Sequence, residues 1–170
     1  MQGSIPHLYL SSFDSAVGII EITADEQHIL SVSFRNERDK EGERSGEIRY
    51  VQENHLSILG KQQLQEYFSS GRNSFDLPLK FPGTEFQNRV WSQLQQIPFG
   101  KTITYLQLAR NLGDARCIRA AGTANGKNPF AVVVPCHRVV GSNDDLVGYA
   151  GGLWRKRWLL GHESQQQSLF

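Results

Sequence analysis

Along the first third of the chain apolar and polar positions alternate, and after that apolar residues recur three and four apart. The alternating stretches are Leu8–Phe13, Val17–Thr23 and Ile29–Phe34, rich in β-branched residues and separated by Asp14-Ser15-Ala16 and Asp25-Glu26-Gln27. Period-two patterning with short polar links predicts an antiparallel meander. Arg35–Arg49 is dense in both charge signs and in Gly, and reads as a solvated loop. From Val51 to Ser70, Leu56, Leu59, Leu64, Tyr67 and Phe68 recur at helical spacing and Gly71 follows, which predicts one helix. Ser74–Gly83, carrying Pro78 and Pro82, reads as an extended linker.

The second half predicts short helices with explicit start signals. Thr84 with Gln87 three residues on forms a capping box, and Phe86, Val90, Trp91, Leu94 and Ile97 share one face before Pro98-Phe99-Gly100. A second helix starts at Thr104, again with Gln107 three residues on, carries Leu108 and Leu112, and ends at Gly113. Asp114 is placed to cap a third, from Ala115 to about Asn125, closed by Gly126. Two short helices joined at Gly113-Asp114 fit a helix-turn-helix. Its second helix carries Arg116 and Arg119 among Ala115, Ala120, Ala121 and Gly122, a small-residue face able to approach a nucleic-acid backbone closely.

Composition narrows the class. At 170 residues, 39% hydrophobic and 21% charged, the chain has the balance of a globular protein of one domain or two small ones. No apolar run reaches the ~20 residues that span a bilayer, and Met1–Pro6 lacks the features of a secretory leader. Two cysteines, Cys117 and Cys136, do not make a disulfide scaffold, so a reducing, cytoplasmic setting is expected. The formal net charge of +1 conceals a split: residues 1–83 carry eight basic and twelve acidic side chains, residues 84–170 ten and five. Such asymmetry points to an anionic partner for the second half.

One segment carries candidate chemistry. Ala131-Val132-Val133-Val134-Pro135 reads as a buried extended run presenting Cys136, with His137 and Arg138 next. Cysteine attacks as a thiolate, so its pKa of ~8.5 must be lowered or a base supplied. His137 is the adjacent base, and the candidate carboxylates in this half to orient it are Asp114, Asp144, Asp145 and Glu163. A small buried hydrophobe is the commoner reading of a cysteine behind three valines, and local sequence leaves both readings open.

Pro135-Cys136-His137-Arg138-Val139 resembles the active-site signature of the O6-alkylguanine-DNA alkyltransferases, the methylated-DNA–protein-cysteine methyltransferases. The resemblance runs from about Phe86 to Glu163. It includes Phe86-Gln87-Asn88-Arg89-Val90-Trp91, Ile97-Pro98-Phe99-Gly100, Tyr105, Leu108-Ala109, Arg119-Ala120, Asn125-Gly126, Asn128-Pro129, Gly148-Tyr149, Gly151-Gly152, Leu159-Leu160 and His162-Glu163. It implies an α+β fold: a small antiparallel-sheet, ribonuclease H-like α/β domain over 1–83, then a mainly helical domain over 84–170 with a DNA-binding helix-turn-helix. Cys136 would accept the alkyl group, His137 would be its base through water, and Glu163 would orient His137. Asn128 would brace the active-site turn, and Tyr105 would favour proton delivery to N3 of the base. Arg119 would fill the space of an extruded nucleotide, with Ala120, Arg116, Thr104, Gln107, Asn125 and Gly122 on the DNA side. Tyr149, Ala150, Gly151, Val139, Pro135 and Trp91 would shape the substrate pocket.

The implied function is repair of O6-alkylguanine, and less surely O4-alkylthymine, in double-stranded DNA entered from the minor groove. The alkyl group would pass irreversibly to Cys136, one per molecule, in a monomer that needs no cofactor. The alternatives are a non-catalytic lesion-binding relative, against which the intact cysteine argues, and a cysteine hydrolase, which leaves the helix-turn-helix unexplained. The chain departs from the family pattern at Ala115, where many relatives have Pro, at Ile118, where Ala is usual, and at Ala150, where some have Ser. Some relatives hold zinc through amino-terminal Cys and His; no Cys precedes Cys117 here, so no metal is expected.

Overall fold

The structure, a computed structural model, describes residues 7–36, 50–69 and 71–167. Its contacts divide the chain into two units, separated between Lys80 and Phe81.

In the first unit strands β1 (Leu8–Ser15), β2 (Gly18–Ala24) and β3 (Ile29–Phe34) form the expected antiparallel meander. The β1–β2 turn is tight because Gly18 takes φ +99° and the Ser15 hydroxyl donates to its carbonyl at 2.6 Å. A short β4 (Tyr50–Val51) adds parallel to β1, so the sheet runs β3-β2-β1-β4 and is mixed at one edge. The predicted charged loop falls mainly on residues 37–49, outside the described residues; Arg35 and Asn36 are irregular.

Helix α1 (His55–Ser69) starts four residues later than the periodicity predicts, because Tyr50 and Val51 belong to the sheet and Asn54 caps. The Asn54 side chain accepts from Ser57 N at 2.8 Å. Leu56, Gly60, Leu64 and Tyr67 are buried in a core with Ile20, Ile22, Ile29 and Val32, each aliphatic contributing about 1.5–3 kcal/mol of burial. Gly60 permits the close approach: a Cβ there would lie 3.0 Å from Ile22 Cγ2. The linker is extended, and its Leu79 forms a parallel bridge to Ile29.

In the second unit α2 (Glu85–Leu94) begins on the complete Thr84/Gln87 capping box and buries Val90, Trp91 and Leu94. A two-residue β5 (Ile103–Thr104) leads into α3 (Tyr105–Asn111), capped by Thr104 but without the reciprocal half of the box: the Gln107 side chain donates instead to Asn111 Oδ1 at 2.8 Å. Gly113 (φ +99°) makes the turn. The predicted third helix is two pieces. Asp114 caps a single 3-10 turn over Ala115–Cys117, and α4 spans Ile118–Gly126, packing Ala121 and Ala124 inward. After β6 (Val139–Val140), paired parallel to β5, the chain loops to α5 (Leu153–Gln167). Among the described residues no helix is long and apolar enough to cross a membrane.

The run before Cys136 is buried but not extended. Val133 N bonds Ala131 O at 2.8 Å, Val134 N bonds Phe130 O at 2.9 Å, and Val132 takes φ +69°. Three valines favour a strand locally, yet among the described residues no strand pairs with this segment. The Asn128 side chain satisfies its backbone instead, and Val132 sits in the left-handed region, which costs a β-branched residue about 1–3 kcal/mol.

Candidate active site

Asn128 Nδ2 donates to Val134 O at 2.7 Å and Phe130 O at 3.3 Å, while Asn128 Oδ1 accepts from Phe130 N at 2.9 Å. One side chain thus closes the turn that delivers Pro135 and Cys136. Cys136, His137 and Arg138 form a single 3-10 turn leading into β6. Cys136 retains 7% of its surface exposure and His137 none.

Beneath this turn Glu163, from α5, is fully buried and shared by four N–H groups from three residues. His137 Nε2 lies 2.7 Å from Oε1; Arg138 Nη2 reaches Oε1 at 2.9 Å, and its Nε reaches Oε2 at 2.9 Å. Gly100 N donates to Oε2 at 3.2 Å, and Arg138 Nη1 donates to Ile97 O at 2.7 Å with its guanidinium 5.6 Å from the Phe99 ring centre. Burial pushes the Glu163 carboxyl up, but the hydrogen bonds and charges of His137 and Arg138 outweigh it and hold Glu163 well below the carboxylate range. Burial pushes His137 down, against the pull of Glu163. A neutral ring donating Nε2–H to a carboxylate leaves the Nδ1 lone pair as acceptor, and Nδ1 is buried without a hydrogen-bond partner among the described residues. Of the four carboxylates the sequence offered, the structure brings Glu163 to His137.

Burial also raises the Cys136 thiol, opposed by the Asn128 side chain and the charge of Lys156. At neutral pH the group is therefore a thiol beside a neutral imidazole. Two phenols share this environment: Tyr105 and Tyr149 are both raised by burial and then by the charge of Cys136. The Tyr105 hydroxyl donates to Val147 O at 3.1 Å and lies 3.5 Å from Gly148 O, in the loop before α5. Pro135 and Val139 are buried beside the cysteine, whereas Ala150 is exposed and Gly151 partly so.

On the helix-turn-helix, Arg119 and Ala120 are exposed on α4, and Gly122 faces the Tyr105 ring. Arg116 is exposed but held by Asp114, with Nε 3.0 Å from Oδ1 and Nη2 3.0 Å from Oδ2. Thr104 serves as the α3 cap and Gln107 is exposed beside it. Two expectations are corrected. Asn125, expected on the DNA face, is 3% exposed and turns inward, its amide 3.4 Å from Cys136 O. It lies on the inward α4 face with Ala121 and Ala124, so it supports the reactive turn from behind. Trp91, expected in the pocket, is 2% exposed in the core, its indole N–H bonded to Ala124 O at 2.9 Å and its ring against Phe81.

Two cations at this site escape a sequence reading. Arg138 has no assigned role in the signature, yet it is the second partner of Glu163. Lys156 sits in Arg155-Lys156-Arg157, which looks like a solvated basic run. It shares one helical face with Leu159 and Glu163, three and seven residues on, and all three are fully buried; that spacing is the signal.

Comparison with known proteins agrees with this geometry. Residues 85–165 match the family described as 6-O-methylguanine DNA methyltransferase, DNA binding domain, and residues 8–81 its ribonuclease-like domain. The chain is 40% identical over 155 residues to the methylated-DNA–protein-cysteine methyltransferase of Methanosarcina acetivorans, covering 90% of this chain and 96% of that one. It is 40% identical to the Shigella flexneri protein of the same name, covering 86% and 90%. Among solved structures, the O6-methylguanine methyltransferase of Mycobacterium tuberculosis superposes with TM-score 0.82 at 34% identity, covering 94% of both chains. The same organism's OGT in complex with DNA gives 0.81. With both halves matched in order and the cysteine turn built as described, this chain belongs to the 6-O-methylguanine DNA methyltransferase family.

Proposed function

We propose that the protein repairs alkylated DNA by moving the alkyl group from O6 of guanine to Sγ of Cys136, once per molecule. The observation that carries this reading is the buried His137–Glu163 contact of 2.7 Å in the same turn as the almost fully buried Cys136 thiol. The carboxylate holds the imidazole with Nδ1 as the acceptor, and that nitrogen takes the thiol proton, directly or through a water. The thiolate forms a bond to the alkyl carbon as the carbon–O6 bond breaks, and its electron pair passes into the guanine ring. A proton taken up at N3, on the side of Tyr105, makes the base a neutral leaving group.

O6 lies inside the base stack, so the nucleotide must be extruded at a cost of a few kcal/mol. Arg119, exposed on α4, supplies a side chain to replace the lost base, and the small residues Ala120 and Gly122 allow minor-groove approach. The groove carries little sequence information, which suits a protein that scans any sequence. The product is a thioether with no leaving group for regeneration, so each molecule is spent after one transfer.

The test is stoichiometry. Titration with a duplex holding one O6-methylguanine is expected to consume one lesion per chain and stop. Continued turnover, as for a cysteine hydrolase, would contradict the reading, as would binding without transfer.

A further inference from the structure

The most unusual group in the second unit is the one the transfer chemistry leaves unused, the ammonium of Lys156. It is fully buried, and its three N–H groups meet three backbone carbonyls: Val139 O at 2.6 Å, Val147 O at 3.0 Å and Gly148 O at 3.3 Å. Three acceptors match an ammonium and exceed the two hydrogens of a neutral amine, so the site is built for the charged form. Val139 belongs to the strand that follows the reactive turn, and Val147 and Gly148 belong to the loop before α5. One charge therefore ties that loop to the active-site strand.

Val147 and Gly148 also face the Tyr105 hydroxyl, at 3.1 and 3.5 Å, and the Lys156 nitrogen lies 5.8 Å from the centre of that ring. The two loop carbonyls thus have two donors, one of which has a single proton and a second task. We infer that Lys156 is a positioning residue that keeps the Val147–Gly148 backbone fixed to Val139, so that Tyr105 can turn its hydroxyl from the loop to the substrate base without orphaning an acceptor. The inference rests on the proposed transfer function. Without Lys156, Tyr105 is the only one of these two donors left for the carbonyls, and using it on substrate would open the pocket wall.

The same ammonium favours the Cys136 thiolate, and the thiolate in turn supports the ammonium against the burial that lowers its pKa. The other ionisable groups around that sulfur are His137 and Arg138 on its own turn, Glu163 on α5, Tyr105 on α3 and Tyr149 in the loop. Tyr105 and Tyr149 are raised, hence neutral, and Arg138 is neutralised by Glu163. Lys156 is left as the cation whose removal the thiol would register.

The test compares the full chain with Lys156→Met and Lys156→Arg. It measures transfer to Cys136 from O6-methylguanine duplex and from free O6-benzylguanine between pH 6 and 9, and amide exchange over 147–152. Lys156→Met is expected to slow both reactions about tenfold at pH 7, to move the alkaline rise of the rate about one unit upward, and to speed loop exchange, with duplex affinity unchanged. Lys156→Arg keeps the charge but not the three-carbonyl fit, so its pH profile should match the parent while loop exchange still accelerates. That second variant carries the test should the first not fold. A parental pH profile and parental loop protection in both variants overturn the role of Lys156, whatever the rates. If the parent chain itself leaves Cys136 unalkylated, the transfer function fails instead.

Discussion

Glu163 decides the state of its neighbours, because each of its oxygens is committed to a buried donor. Replacing it by Gln leaves the Arg138 charge buried and unpaired, and losing one partner of such a pair costs about 3–5 kcal/mol. Glu163→Gln is therefore expected to lower Tm markedly, and to slow transfer at least ~100-fold because an amide does not stabilise the imidazolium; thermal melts and single-turnover rates check this. A parental Tm would contradict the buried network. Acid sensitivity follows from the same groups. Unfolded His137 protonates near its ordinary 6.5 while the buried ring resists, so stability is expected to fall as pH drops below 6.5. Glu163 is held low when folded, so its contribution is present above its ordinary 4.5 and is lost as pH falls beneath it. Melts from pH 8 to 4 should decline in these two stages. Cys136 and His137 were legible because the motif names them. The partner carboxylate was one of four candidates until the fold, or the family resemblance, selected it. Arg138 and Lys156 were hidden because charged residues are ordinarily solvated, and only a neighbouring element shows that these are not.

At the level of elements, capping chemistry located the starts of α2 and α3 from sequence, since a Thr hydroxyl that accepts from the N–H three residues on satisfies an orphan donor wherever the helix packs. Thr84→Ala is expected to cost about 1 kcal/mol in stability with no change in transfer, checked by urea unfolding and single-turnover rates. Residues 131–135 depart from the expected extended run for the opposite reason. Its valines prefer a strand, but the side chain of Asn128 imposes a turn, a specific side-chain-to-backbone contact that propensity cannot contain. Asp114 has two duties, capping the 3-10 turn and neutralising Arg116. Asp114→Asn keeps a capping oxygen and releases the guanidinium. It is expected to leave Tm near the parent value while tightening duplex binding and steepening the plot of log K against log salt by about one, the effect of one added phosphate contact. An unchanged slope in a salt series would show that Arg116 does not meet DNA.

Over the whole molecule the concealed charge split acquires a location. Two of the ten cations in residues 84–170, Arg138 and Lys156, are buried in the reactive site, and Arg116 is paired. Arg110, Arg119 and Lys127 are exposed on or beside the helix-turn-helix, so the salt slope is expected to be shallow, about −3, and affinity low. Capture of the proposed lesion would then rest on chemistry more than on binding. Arg119→Ala, an exposed change, should leave stability intact and slow reaction with duplex more than tenfold while sparing free O6-benzylguanine. The most direct test of the account is peptide mass spectrometry after incubation with one equivalent of O6-methylguanine duplex. The account predicts a mass gain of one CH2 on the peptide bearing Cys136 and none on that bearing Cys117. An unmodified Cys136, or a methyl found elsewhere, would contradict it.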